Sequence, residues 1–175
     1  MNSSSSLPNN VLAAWIGSRD LDAASGKVGT GVGPIGQVVG SEAFSEIHLL
    51  SNYTPPESKA FESWLGERTG AKIHLHLIDL SSPVNHGEIY EAVVRILDGL
   101  SLKSCDQLTY HLSPGTPAMQ SIWILLAKTT HPARMLQSSV QAGVEEAIIP
   151  FDIAAEFIPG LLRKSDEQLS SLARA

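Results

Sequence analysis

From Val11 to Gly17 the chain runs Val-Leu-Ala-Ala-Trp-Ile-Gly, without one polar side chain. A continuous apolar run of this kind predicts a strand buried on both faces, as in a parallel sheet. Glu46 to Ser51 predicts a second strand. Lys72 to Asp79 predicts a third that alternates, with Ile73, Leu75 and Leu77 on one face and His74 and His76 on the other. Leu108 to Leu112, Ala133 to Ser138 and Val144 to Pro150 predict three more, the last short and antiparallel. Between them lie segments of helical period: Pro34 to Phe44, Pro56 to Thr69 with Phe61, Trp64 and Leu65 inward and Gly70 ending it, and Gly87 to Leu100 with Ile89, Val93, Ile96 and Leu97 inward. The helix from Gln120 to Lys128 is apolar nearly all round, with Met119, Ile122, Trp123 and Leu126 as its stripe. Such a helix is buried under later elements or in a subunit interface. Strands alternating with helices along the chain predict an α/β fold, a mostly parallel six-stranded sheet flanked by helices.

The ends differ from the middle. Residues 1–10 are rich in Ser and Asn and predict a disordered leader, residues 11–152 one domain, and residues 153–175 a helical connector. That connector carries Phe157, Ile158, Leu161 and Leu162, an apolar surface that calls for a partner or a following domain. A length of 175 residues suits a single domain with a real core. A net charge of −6 gives no broad basic footprint for duplex DNA. Cys105 is the only cysteine, so no intrachain disulfide forms, as expected of a cytoplasmic protein. No apolar run approaches the roughly 20 residues of a membrane span.

The chemistry is concentrated in His111-Leu112-Ser113-Pro114-Gly115-Thr116-Pro117-Ala118-Met119. Here a strand reaches a tight turn and leaves as a helix. Thr116 suits the N-cap and Pro117 the first helical position, while Gly115 permits positive φ or close approach of a ligand. The turn therefore predicts an anion-ready helix start lined by Ser113 and Thr116, fit for phosphate or ribose. A plain strand-to-helix turn is the alternative.

Ser18-Arg19-Asp20 follows the first strand, where open α/β sheets bind ligands. Arg19 is placed to meet a phosphate and Asp20 a ribose hydroxyl; otherwise the two form a surface ion pair. At the end of the second strand, Ser51, Asn52 and Tyr53 offer base recognition by hydrogen bond and stacking, or simply a turn before Pro55-Pro56. Leu21 to Gly33 predicts a long glycine-rich loop, a candidate lid. Gly31-Val32-Gly33-Pro34-Ile35-Gly36 matches G-x-G-x-x-G but lies more than a dozen residues past the first strand and contains Pro34, so it is not a dinucleotide fingerprint. His74 and His76 share a face in metal-ligand spacing, yet no Cys, Asp or Glu cluster supports a metal, and two exposed polar residues on a strand are the expectation. No catalytic set and no cofactor motif is evident.

Ser-Pro-Gly-Thr-Pro-Ala-Met, followed by Ile122 to Thr129, resembles the signature of CARF domains, the CRISPR-associated Rossmann-fold ligand sensors. More closely it resembles the N-terminal sensor domains of sigma-54-dependent transcriptional activators of the RNA-repair regulator (RtcR-like) type. Ala14 to Leu21, Val32 to Ile35, Gly87 to Ala92 and Pro150 to Ile153 share the resemblance, which spans most of residues 11–163. It implies a Rossmann-like three-layer sandwich, a homodimer, and a pocket over the dimer interface at the carboxyl ends of strands one and four. The implied ligand is a cyclic oligoadenylate or another RNA-derived nucleotide, such as an RNA end. The implied binding residues are Gly17, Ser18, Arg19 and Asp20 in the first loop, and Ser113, Gly115, Thr116 and Met119 in the second. The chain has no Walker A motif and no helix-turn-helix, so the AAA+ ATPase and DNA-binding modules of such an activator would lie outside it.

The expectation is thus a regulatory domain rather than an enzyme. A ring nuclease, cleaving its cyclic ligand by attack of a ribose 2′-OH with help from Ser113, Thr116, Arg19 or His111, is the alternative. An NAD(P) enzyme is disfavoured by the misplaced glycine pattern, and a serine hydrolase by the lack of a G-x-S-x-G elbow.

Overall fold

The computed structural model describes residues 8–150. The leader up to residue 7 and the expected helical connector over 153–175 lie outside the described residues. Asn9, near the start of the described residues, is tied to the segment that enters β4. Its N–H donates to Asp106 Oδ1 at 2.9 Å and its carbonyl accepts from the Gln107 N–H at 2.8 Å.

The elements in order are β1 (Asn10–Trp15), α1 (Ser18–Ala24), α2 (Gly33–Ser41), β2 (Glu46–Ser51), α3 (Pro55–Gly66), β3 (Lys72–Leu77), α4 (His86–Asp98), β4 (Gln107–His111), α5 (Pro117–Ala127), β5 (Arg134–Ser139) and β6 (Gly143–Glu146). The sheet order is β3-β2-β1-β4-β5-β6, parallel except for the antiparallel pair β5–β6. This is a Rossmann-like α/β/α sandwich. Strand order reverses between β1 and β4, the switch point where such sheets open a crevice at their carboxyl ends.

Beyond Asn10, β1 is apolar because it feeds two cores. Val11, Ala13 and Trp15 pack against α4 and α5, while Leu12, Ala14 and Ile16 pack against α2 and α3. Tyr110 of β4 and Trp123 of α5 stack in the first core with ring centroids 4.4 Å apart. The Tyr110 hydroxyl donates to the His131 carbonyl at 2.9 Å, fixing the loop after α5. The edge strand β3 is only half-buried, in keeping with its polar alternation.

Several expectations change: α2 stops at Ser41 rather than Phe44 and β6 at Glu146 rather than Pro150. The stretch after β1 is not all loop, since residues 18–24 form α1. This helix buries only Asp20 and Ala23, so it carries no apolar period to read. The third helix stops at Gly66, with Glu67 as its C-cap, rather than continuing to Thr69. Among the described residues, no helix is long and apolar enough to cross a membrane.

Trp123 is fully buried, so Trp123→Ala should lower unfolding free energy by about 3–5 kcal/mol in urea titrations. Its indole N–H has no partner, so Trp123→Phe loses volume but no hydrogen bond and should cost distinctly less.

Candidate functional site

At the switch point the two loops named above touch. A Cβ on Gly17 would lie 3.0 Å from the Gly115 nitrogen and 3.3 Å from Pro114 Cβ, so a side chain there would push the two loops a few tenths of an ångström apart. Gly115 has φ of +92°, and a Cβ there would sit 2.8 Å from Met119 Sδ and 3.2 Å from Trp15 Cβ. The Ser-Pro-Gly turn thus closes onto the end of β1. Ser18 and Arg19 are exposed on one side of this contact and Ser113 on the other.

Thr116 is the N-cap of α5, with Pro117 in the first turn. Its hydroxyl accepts from the Met119 N–H at 3.3 Å and donates to the Pro83 carbonyl at 2.7 Å. Both functions of the hydroxyl are therefore engaged within the chain, binding the loop before α4 to the signature turn. Met119 is buried beneath Gly115 and shapes the turn from below. The Ser113 hydroxyl accepts from the Ser138 N–H at 2.7 Å, which leaves its own proton available to a ligand.

Asp20 does not face outward, and it forms no surface pair with Arg19. It is fully buried. One carboxylate oxygen accepts from the Gly17 N–H at 2.9 Å and the other from the Ile35 N–H at 2.9 Å. The carboxylate therefore joins the N-termini of α1 and α2. Gly33, with φ of +69°, is needed here because a Cβ would lie 3.0 Å from Asp20 Oδ1. Burial pushes the carboxyl up to about 6, against the Ile35 and Gly17 N–H groups and the Arg19 charge, which pull it down. The start of α2, where the G-x-G-x-x-G pattern falls, is thus occupied by an anion of the chain's own.

Ser51 is also buried. Its hydroxyl accepts from the Tyr53 N–H at 3.2 Å and lies 2.7 Å from Ser58 Oγ, which donates to the Thr54 carbonyl at 3.0 Å. That chain of bonds builds the turn into α3. Asn52 is half-buried beside it, and Tyr53 packs against the α2–α3 core.

The glycine-rich loop over 25–32 and the β5–β6 hairpin enclose a cleft of about 190 Å³. Arg19, Gly31, Pro34, Gln37 and Ser138 line it, and Arg19 is its one charged lining residue among those described. His111 lies beneath, fully buried on β4, with Nε2 2.9 Å from Ser138 Oγ. Burial lowers its pKa to about 3, so it is neutral at physiological pH.

A second group lies toward the amino ends of the strands and joins residues far apart in sequence. His74 and His76 share a face, as their alternation predicts, and His48 and Glu46 of β2 meet them there. His48 and His74 stack with centroids 4.5 Å apart and planes 5° apart. Glu46 Oε2 is 3.1 Å from His74 Nε2 and 3.6 Å from His48 Nε2. The two partners from β2 could not be found from local spacing, because register alone brings them to β3.

Neither a protein-family model nor a curated protein matches the sequence. Solved structures do share the fold. Csm6 of Enterococcus italicus, bound to cyclic hexa-2′-fluoro-hexa-dAMP, superposes over 81% of this chain with a TM-score of 0.62 and 11% identity. Can2 from Sulfobacillus thermosulfidooxidans, in complex with cyclic tetra-adenylate, covers 79% with a TM-score of 0.53 and 12% identity. The chain spans 36% of the length of each. At this identity the likeness is one of fold.

Two measurements check the site's internal supports. The folded state holds the Asp20 proton up to about pH 6, whereas an unfolded chain releases it near 3.8. Its contribution is therefore full below the lower value and lost as pH rises through the upper one. Relative to Asp20→Asn, wild-type stability should fall by up to about 3 kcal/mol between pH 4 and pH 6. Parallel curves would mean that the carboxyl titrates normally. The depressed histidines His48 and His111 act oppositely in both proteins and cancel in this difference. Separately, Gly115→Ala should cost about 1–3 kcal/mol in denaturant melts, from the strain of a side chain at positive φ.

Proposed function

We propose that the chain is a ligand-sensing domain that binds a cyclic oligoadenylate or a related RNA-derived nucleotide at the carboxyl ends of β1 and β4. The observation that carries this reading is the contact of Gly17 with Gly115. It sets Ser18 and Arg19 beside Ser113 at the switch point, in a fold shared with two proteins solved with cyclic oligoadenylate ligands. Arg19 supplies the charge for a ligand phosphate. The Ser113 hydroxyl donates to a phosphate or ribose oxygen, and the early N–H groups of α5 favour an anion beside them. Asp20, Ser51, Thr116 and Met119 serve the same site from behind, by holding the loops in place. Asn52, at the adjacent strand end, is the residue for a base.

Cleft size supports a homodimer. A volume of about 190 Å³ lies below the roughly 300–1,000 Å³ of ordinary small-molecule sites, so one chain encloses only part of such a ligand. Val84 and Tyr90 are exposed apolar side chains near the loop that Thr116 ties to α5, suited to the face of a second copy. The resemblance to sigma-54 activator sensors favours a regulatory role, with ligand occupancy controlling an ATPase and DNA-binding module outside this chain. The complete burial of His111 favours binding over cleavage, because it keeps that ring from a ligand.

Titration of the chain with cyclic tetra- and hexa-adenylate and with linear RNA ends, followed by product analysis, tests the reading. Saturable binding with the ligand recovered intact is expected, and Arg19→Ala should weaken it at least tenfold without changing the oligomeric state. Unchanged affinity in that variant would remove the first loop from the site, and loss of ligand on incubation would make the domain a ring nuclease.

A further inference from the structure

The histidine group at the other end of the sheet has no part in that reading. Among the described residues, Glu46, His48 and His74 form a set whose donor atoms all lie within 4.8 Å of one another. A four-coordinate ion with ligands at about 2.0–2.1 Å places neighbouring donors roughly 3.3 Å apart. The separations from Glu46 Oε2, 3.1 Å to His74 Nε2 and 3.6 Å to His48 Nε2, bracket that value. His74 sits on the edge strand with 29% of its side chain exposed, and because its ring stacks on that of His48 one of the two rings must turn for both lone pairs to meet a common centre.

The surroundings also fit. His48 Nδ1 lies 3.0 Å from His76 Nε2. If Nδ1 carries the proton and donates it to His76, Nε2 of His48 is left as a lone-pair donor aimed at Glu46. Histidine ligands are commonly held by such a bond from the second ring nitrogen. The group opens onto a cavity of about 480 Å³ that Arg95 and Asp106 also line.

We propose that Glu46, His48 and His74 bind one divalent transition-metal ion of the zinc class, with His76 as a positioning residue and a fourth position open to the cavity. Two imidazoles and one carboxylate are a borderline donor set, suited to zinc or cobalt rather than to calcium or magnesium. Three protein ligands with an open position are the arrangement of sites that also bind a water or an anion.

The test uses the untagged full chain and zinc or cobalt alone. Calorimetry is expected to show one zinc bound per chain, and cobalt to give visible absorption bands of four-coordinate intensity. Zinc should also raise the melting temperature. Glu46→Gln and His74→Ala, both at partly exposed positions, should each weaken zinc at least tenfold, and His76→Ala should weaken it with stoichiometry unchanged. His131→Ala, which alters the separate His131–Asp98 pair, should have no effect. Absence of saturable uptake by the wild-type chain would overturn the proposal, as would uptake that survives Glu46→Gln and His74→Ala or is lost with His131→Ala.

Discussion

The carboxylate of Asp20 is the constraint on which the ligand-facing end of the molecule depends. Two helices begin there, α1 directly after β1 and α2 after the glycine-rich loop, and each presents N–H groups with no partner inside its own helix. One side chain satisfies both, one oxygen on Gly17 and the other on Ile35. The loop between them can therefore be glycine-rich and exposed while its two ends stay fixed. Gly17, held by the same bond, is in turn the residue that lets the Ser-Pro-Gly turn approach β1. An anion buried within the chain thus sets the geometry in which an external anion is proposed to bind.

The sheet was largely legible because its strands differ in how many faces they bury. β1 reads as a continuous apolar run since both cores use it, and β3 reads as alternating since only one of its faces is well covered. The N-cap at Thr116 and the Pro at the first turn of α5 were readable because capping is local chemistry. α1 was not. It has seven residues, and its main inward side chain is a carboxylate, so hydrophobic periodicity had nothing to register.

The two loops that meet at the switch point were legible, the roles of their polar residues less so. Short polar residues at strand ends either meet a ligand or complete the backbone, and sequence presents both in the same letters. Asp20, Ser51 and Thr116 complete the backbone, because each lies within reach of N–H or C=O groups that the turns leave unpaired. Arg19 and Ser113 remain turned outward. The histidine group was missed for a different reason. His74 and His76 show their common face locally, but Glu46 and His48 reach it only through the parallel register of β2 on β3, which no local pattern reports.

The two ends of the sheet place different demands on a partner. At the carboxyl end a small cleft, with Arg19 as its one charged lining residue among those described, would suit one phosphate unit at a time. A ring of identical nucleotides repeats that unit, and a two-fold pair of chains repeats the cleft, so symmetry in the ligand and in an isologous dimer match each other without any new residue. In the proposed dimer each chain would contribute a weak, solvent-facing contact, and affinity would come from engaging both at once. A single nucleotide would then satisfy only one of the two clefts, whereas an oligonucleotide that reaches both would gain from each.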